Sequence, residues 1–150
     1  MAQKVHLLLI DPQNSFANPK GELYVKGAAE DMQRVAKMII RLGKRLDDIH
    51  VTLDSHHLVH VAHPIFWKDQ AGNPPPPFTL IRAADLRDGV WRTAVPSHFK
   101  RALAYVEGLE KNGRYPLCIW PPHCLIGSWG HNIQDDVLQA LQHWEQTEFA

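Results

Sequence analysis

Cysteine is scarce here, with only Cys118 and Cys124 in 150 residues. The start of the chain lacks the charged, apolar and small-residue order of a secretion signal, so both thiols are expected to stay reduced in a cytoplasmic setting, and no disulfide is assigned. Long apolar runs are missing too. The longest, Val5 to Ile10, contains His6 and falls far short of the roughly 20 residues that cross a bilayer, which excludes a membrane partner. Neither sign of charge prevails: 16 Lys and Arg balance 16 Asp and Glu, and no basic stripe interleaved with aromatics appears, so nucleic acid is excluded as well. There is no internal repeat, and lysine disappears altogether after His123.

At 45% hydrophobic and 21% charged, what remains has the composition of an ordinary globular chain with one core, and a single domain over 1–150 is expected. The continuous apolar run Val5 to Ile10 suits a strand buried on both faces, and Asp11-Pro12 ends it. From Ala28 to Leu46, apolar Met32, Val35, Ala36, Ile39 and Leu46 recur at helical spacing, with Lys and Arg on the other face. His50 to Leu53 reads as a second strand, and strand-helix-strand order implies a right-handed crossover in a parallel sheet, hence an α/β class. A Pro-rich insertion at about 64–96, containing Pro74 to Pro77, reads as an irregular surface excursion of a length that is usually functional or mobile. Beyond it, Ser97 is expected to cap a helix whose apolar side is Phe99, Ala102, Leu103, Val106 and Leu109, with Asn112-Gly113 as its stop. Leu117 to Trp120 is expected as strand three, and Asn132 as the cap of a last helix carrying Ile133, Val137, Leu141 and Trp144.

Three polar clusters follow the carboxyl ends of these strands: Asp11, the segment Asp54 to His63, and Pro121-Pro122-His123. In an open parallel sheet that edge is where ligands bind. Asp54 and His56 are two residues apart, so on an extended backbone both side chains point to one side and can share an ion. His57, His60 and His63 follow in the same segment. Carboxylate with neutral imidazole suits zinc, iron or manganese, and the sequence does not choose among them. Taken singly, a histidine in a polar loop is more often solvated, and a strand-end aspartate more often a turn cap. The ordered set favours a metal, whereas His6, His50, His98, His131 and His143 are left as ordinary surface or packing residues.

Leu8-Leu9-Ile10-Asp11-Pro12-Gln13-Asn14-Ser15-Phe16 resembles the opening motif of the nicotinamidase and isochorismatase-like cysteine hydrolases, a hydrophobic strand followed by Asp-x-Gln-Asn-Asp-Phe. Asp54-x-His56-x-x-x-His60 is similar to that family's Asp-x-His-x-x-x-His segment, and Trp120-Pro121-Pro122-His123-Cys124 looks like the Trp-Pro-x-His-Cys motif more typical of nicotinamidases. The resemblance implies a doubly wound α/β fold and an enzyme in which a cysteine attacks a small amide, forms a thioester and releases ammonia. It implies Asp11 as the base for that cysteine. It further implies Asp54, His56 and His123 as ligands of a divalent metal, zinc first and iron or manganese after it, with His60 as the fourth ligand. Phe16 and Trp67 are candidate walls of the substrate pocket.

The sequence departs from this pattern in carrying Ser15 where the family has aspartate, and in offering neither the lysine nor the catalytic cysteine that the family places after the Trp-Pro-x-His-Cys segment. Cys124 matches a structural cysteine there. The resemblance therefore implies the amino-terminal part of one such domain, a partial parallel sheet without the later strands and inactive alone. Strand one would then be an apolar edge that favours homo-oligomers or a complementing chain. The other readings are a non-catalytic metal-binding remnant that scaffolds a partner, and a metal-water hydrolase with Asp11 as its base.

Overall fold

The computed structural model describes residues 3–149. In chain order the elements are β1 (His6–Leu9), α1 (Asn14–Ala17), α2 (Ala28–Leu42), β2 (Asp48–Val51), β3 (Trp67–Lys68), β4 (Leu80–Ile81), α3 (Ala83–Arg87), β5 (Arg92–Thr93), α4 (Phe99–Glu110), β6 (Leu117–Cys118) and α5 (Asp135–Glu148). They fall into two compact units, one made of residues up to Ser55 together with those from His123 onward, the other of His56–Pro122. No described helix is long and apolar enough to cross a membrane.

In the first unit β1 and β2 pair in parallel, His6 opposite Asp48 and Leu9 opposite Val51, as the strand-helix-strand reading requires. Helices α2 and α5 cover one side of this pair. The apolar stripe of α2 packs Ile39, with Met32, Val35 and Ala36, against Leu9, Leu46, Val137, Leu141 and Trp144. Each such side chain taken fully out of water contributes on the order of 1.5–3 kcal/mol. Gly43, at φ 42, ends α2 in a conformation that costs a residue with a Cβ, and its carbonyl accepts the Trp144 indole N–H at 3.3 Å, tying α2 to α5.

Two expectations are corrected in this unit. The last helix is capped by Gln134, two residues after Asn132: its side-chain oxygen accepts the Asp136 N–H at 2.9 Å and the Val137 N–H at 3.3 Å. Asn132 instead gives its carbonyl to the Asn14 N–H. Nor is β1 buried on both faces. Leu7 and Leu9 turn to the core, while Leu8 is 56% and Ile10 71% exposed, because among the described residues only one face of the pair is covered by helices.

The second unit shows that the Pro-rich stretch is not an irregular excursion but builds a core. Trp67, Ile81, Ala83 and Leu86 from it are buried with Ala102, Val106, Leu117 and Ile119. Its strands are short and antiparallel: β3 pairs with β5, and β4 with β6. The expected third strand thus forms over Leu117–Cys118 and takes β4 as an antiparallel partner, since the chain returns from the four prolines alongside it. Ser97 sits inside a 3-10 turn (Pro96–His98) that leads into α4, with no side-chain cap on either element, and Asn112 (φ 63) and Gly113 (φ 68) provide the left-handed stop.

Candidate active-site and metal-binding residues

In the first unit, β1 delivers its carboxyl end into a left-handed turn at Asp11, φ 49, a conformation that aspartate tolerates better than most residues. The Thr52 hydroxyl just beyond β2 donates to Asp11 Oδ1 at 2.6 Å and accepts the Asp11 N–H at 3.1 Å, which fixes the carboxylate at the end of the strand pair. Pro12 has no N–H to satisfy, and α1 starts two residues later.

Gln13 is fully buried and makes three bonds to backbone. Its amide donates to the carbonyls of Asp54 and His131, both at 2.8 Å, and its oxygen accepts the Asp54 N–H at 2.8 Å. The backbone at Asp54 is therefore clamped from both sides. Its carboxylate Oδ2 lies 3.3 Å from Nε2 of His123, which is nearly buried, with the Phe16 ring edge-on to that imidazole at 5.7 Å. Two of the three expected metal ligands are thus together, and Phe16 lies against them.

Ser15, the departure from the family pattern, is fully buried and organises the next turn. Its hydroxyl donates to Glu22 at 2.7 Å and accepts the Cys124 N–H at 3.0 Å. Gly130 must be glycine for this to fit, since a Cβ there would stand 2.4 Å from the Ser15 oxygen. Cys124 is 1% exposed and holds φ 46. Burial pushes its thiol up to about 11; the Ser15 hydroxyl opposes this, and the charges of Asp54, Glu22 and Asp11 add to it. Cys118, half-buried in β6, is raised by burial as well.

In the second unit, His56, His60 and His63 bring their rings together, with centroids 4.7, 5.1 and 5.4 Å apart. Backbone groups set two of the tautomers. The Ala62 N–H donates to Nδ1 of His60 at 3.2 Å, so the neutral ring carries its proton on Nε2. Nδ1 of His63 donates to the Leu58 carbonyl at 3.0 Å, so its lone pair is on Nε2, the arrangement usual for a metal-ligating imidazole. His63 was not singled out as a ligand from sequence, because only the fold shows which nitrogen the backbone takes. Trp67 is 1% exposed within the core of this unit and donates its indole N–H to the Val61 carbonyl at 2.6 Å.

Gln13 and Ser15 are also supports of these candidate residues that residue-type reasoning missed. Their only signal was their place in the quoted motif, next to Asp11.

No family model and no curated protein matches the sequence. Solved structures do. The yeast nicotinamidase Pnc1p is similar at 19% identity and a TM-score of 0.58, over 92% of this chain and 52% of that one. The same enzyme bound to the inhibitor nicotinaldehyde gives 20% and 0.56 over the same shares. A nicotinamidase/pyrazinamidase from Acinetobacter baumanii gives 19% and 0.54, over 91% of this chain and 47% of that one. The chain therefore has the α/β fold of the nicotinamidases, and it spans about half the length of those proteins.

Proposed function

We propose that this chain carries the metal-binding and proton-accepting part of a nicotinamidase-like amidohydrolase that acts on nicotinamide or a similar small carboxamide. The observation that carries the reading is the Asp54 carboxylate held 3.3 Å from the His123 imidazole by a buried glutamine clamp, in a fold shared with nicotinamidases. A buried imidazole such as that of His123 is costly to desolvate and is retained where it pairs or holds a cation, and the half-buried Asp54 carboxylate is its partner.

Asp54, His56 and His123 are the proposed ligands, a donor set that fits zinc and also iron or manganese. The fourth comes from the neighbouring imidazoles. His60 holds the family position, but the tautomer of His63 is the one a ligand needs. When bound, the ion supplies a Lewis-acidic contact for the substrate's ring nitrogen. Phe16, whose ring stands edge-on to His123, is the proposed wall of the substrate site beside these ligands; Trp67 serves by holding the core beneath its own segment.

Asp11 accepts the proton. With Oδ1 engaged by Thr52, Oδ2 takes the hydrogen of an attacking thiol as the sulfur bonds to the amide carbon. As the adduct collapses, Asp11 passes that proton to the departing nitrogen, so ammonia leaves, a thioester remains, and water completes the hydrolysis. Cys124 is not that nucleophile: with its thiol near 11, only on the order of one molecule in ten thousand is thiolate at pH 7, and the sulfur is buried. The attacking cysteine is supplied by further polypeptide, either a complementing chain or another segment, and the open Leu8 and Ile10 face of β1 suits association with it or with a second copy. A cytoplasmic setting, which keeps thiols reduced, belongs to the same reading.

Ammonia release from nicotinamide by zinc-loaded protein tests this. These 150 residues are expected to show no turnover alone, to gain it when polypeptide carrying the later strands is added, and to lose it again in Asp11→Asn. Turnover without addition that vanishes in Cys124→Ala overturns the assignment of the nucleophile. Metal stoichiometry unchanged by both Asp54→Ala and His123→Ala overturns the ligand set.

A further inference from the structure

At the opposite end of the β1–β2 pair, a second group of metal-ligating side chains converges. In the parallel register His6 stands opposite Asp48 and Leu8 opposite His50. Asp48 and His50 are two residues apart on one strand, so the pleat puts them on the same side. That side is the open one, away from α2 and α5: His6 and His50 are exposed and Asp48 half-exposed. Nδ1 of His6 lies 3.3 Å from Nε2 of His50, and Oδ2 of Asp48 lies 3.4 Å from the same nitrogen. All three donor atoms lie within 4.8 Å of one another.

Two of the three donor separations match a coordination shell. Metal–nitrogen bonds of about 2.0–2.1 Å in a tetrahedron set adjacent donors roughly 3.3–3.4 Å apart. The carboxylate is also oriented, since Oδ1 of Asp48 accepts the Ile49 N–H at 2.8 Å and leaves Oδ2 toward the histidines. The two imidazoles stack at 5.6 Å with planes 8° apart, so a shared ion turns the rings out of this stack to bring their in-plane lone pairs together. With solvent on the outer side, water completes the shell.

We propose that His6, Asp48 and His50 form a second divalent-metal site, for zinc, copper or nickel, separate from the Asp54 and His123 ligands. The two imidazoles are borderline donors that favour these ions over magnesium or calcium, and the one carboxylate adds a negative charge. The site holds one ion on the strand pair and cross-links β1 to β2 by its side chains. None of its residues belongs to the proposed hydrolase site, but they share the open face of β1 with Leu8 and Ile10, so a chain that associates there would cover the ion.

Zinc binding by the whole chain, followed by titration calorimetry and elemental analysis, tests it. A variant with both Asp54→Ala and His123→Ala is expected to retain one equivalent of zinc. Adding His6→Gln or His50→Gln to that background should weaken the remaining binding by more than roughly tenfold, the low end of what losing even an outer partner of a metal costs. All three side chains are on the surface, so these variants fold, and unchanged circular dichroism will show it. In proton NMR of the double variant, zinc should shift the ring signals of His6 and His50 ahead of those of His98 and His143. Zinc retained with equal affinity when His6 and His50 are both replaced, or ring shifts spread over every histidine, would overturn the second site and leave the first unaffected.

Discussion

The two ends of the β1–β2 pair use the same kinds of residue under opposite conditions. At the carboxyl end, Thr52 holds Asp11 and the buried amide of Gln13 holds the Asp54 backbone, with His123 against the Asp54 carboxylate and a buried thiol nearby. At the amino end, His6, Asp48 and His50 meet in solvent, oriented by strand register and a single backbone bond. The difference teaches that a donor set becomes a site of fixed geometry through what lies behind it. A buried support excludes alternative rotamers, whereas an exposed one leaves them to be selected by the ion.

The strongest way to break the comparison is to remove the buried support. Gln13→Ala strands the Asp54 N–H and two carbonyls without partners and opens a cavity, so it is expected to cost about 3–5 kcal/mol of stability in denaturant unfolding. Truncating Asp48 to alanine at the other end should stay within about 0.5 kcal/mol, as for most surface changes. A loss under about 1 kcal/mol for Gln13→Ala would show that the two ends are supported alike.

High pH probes the same contrast through Cys124. Its folded value, about 11, lies above the ordinary 9.0, so the folded state favours the protonated thiol. The resulting contribution is complete below pH 9.0 and is lost as the pH rises from there through 11. Unfolding midpoints should therefore fall more steeply across this window in the parent chain than in Cys124→Ala, and parallel slopes would mean that the thiol is solvated. Gly130→Ala, which drives a methyl into the Ser15 hydroxyl, is expected to cost about 1–3 kcal/mol and to speed alkylation of Cys124. Smallest of all, His50→Gln should change stability by less than about 0.5 kcal/mol without metal, yet remove the stabilisation of about 2.7 kcal/mol that zinc at a hundred times its dissociation constant gives the parent site.

Much of the first unit was legible in the sequence. Val5 to Ile10, the helical spacing from Ala28, and the polar residues at the following strand ends made the parallel strand pair readable, and with it the neighbourhood of Asp11, Asp54 and His123. The 64–96 stretch was not, because its strands are two residues long and its order comes from burying Trp67, Ile81 and Leu86 against α4 rather than from any local period. Helix caps missed by two residues at Asn132 for a similar reason: Asn and Gln side chains can both cap, and the neighbour that claims the asparagine carbonyl lies more than a hundred residues away.

His6 and His50 show the limit most plainly. Local pattern determined that each belongs to or borders a strand, since alternation and apolar content are properties of a few consecutive residues. That they face one another depended on the register of two strands separated by the whole of α2, and on which face the helices chose to cover. Register is set by long-range packing, and a slip of one residue would send each of these side chains to the other side of the sheet. The sequence by itself therefore determined the longer elements of the first unit and the chemistry they carry. Only the tertiary structure decided which donors meet, because donor distances are fixed by contacts between residues far apart in the chain.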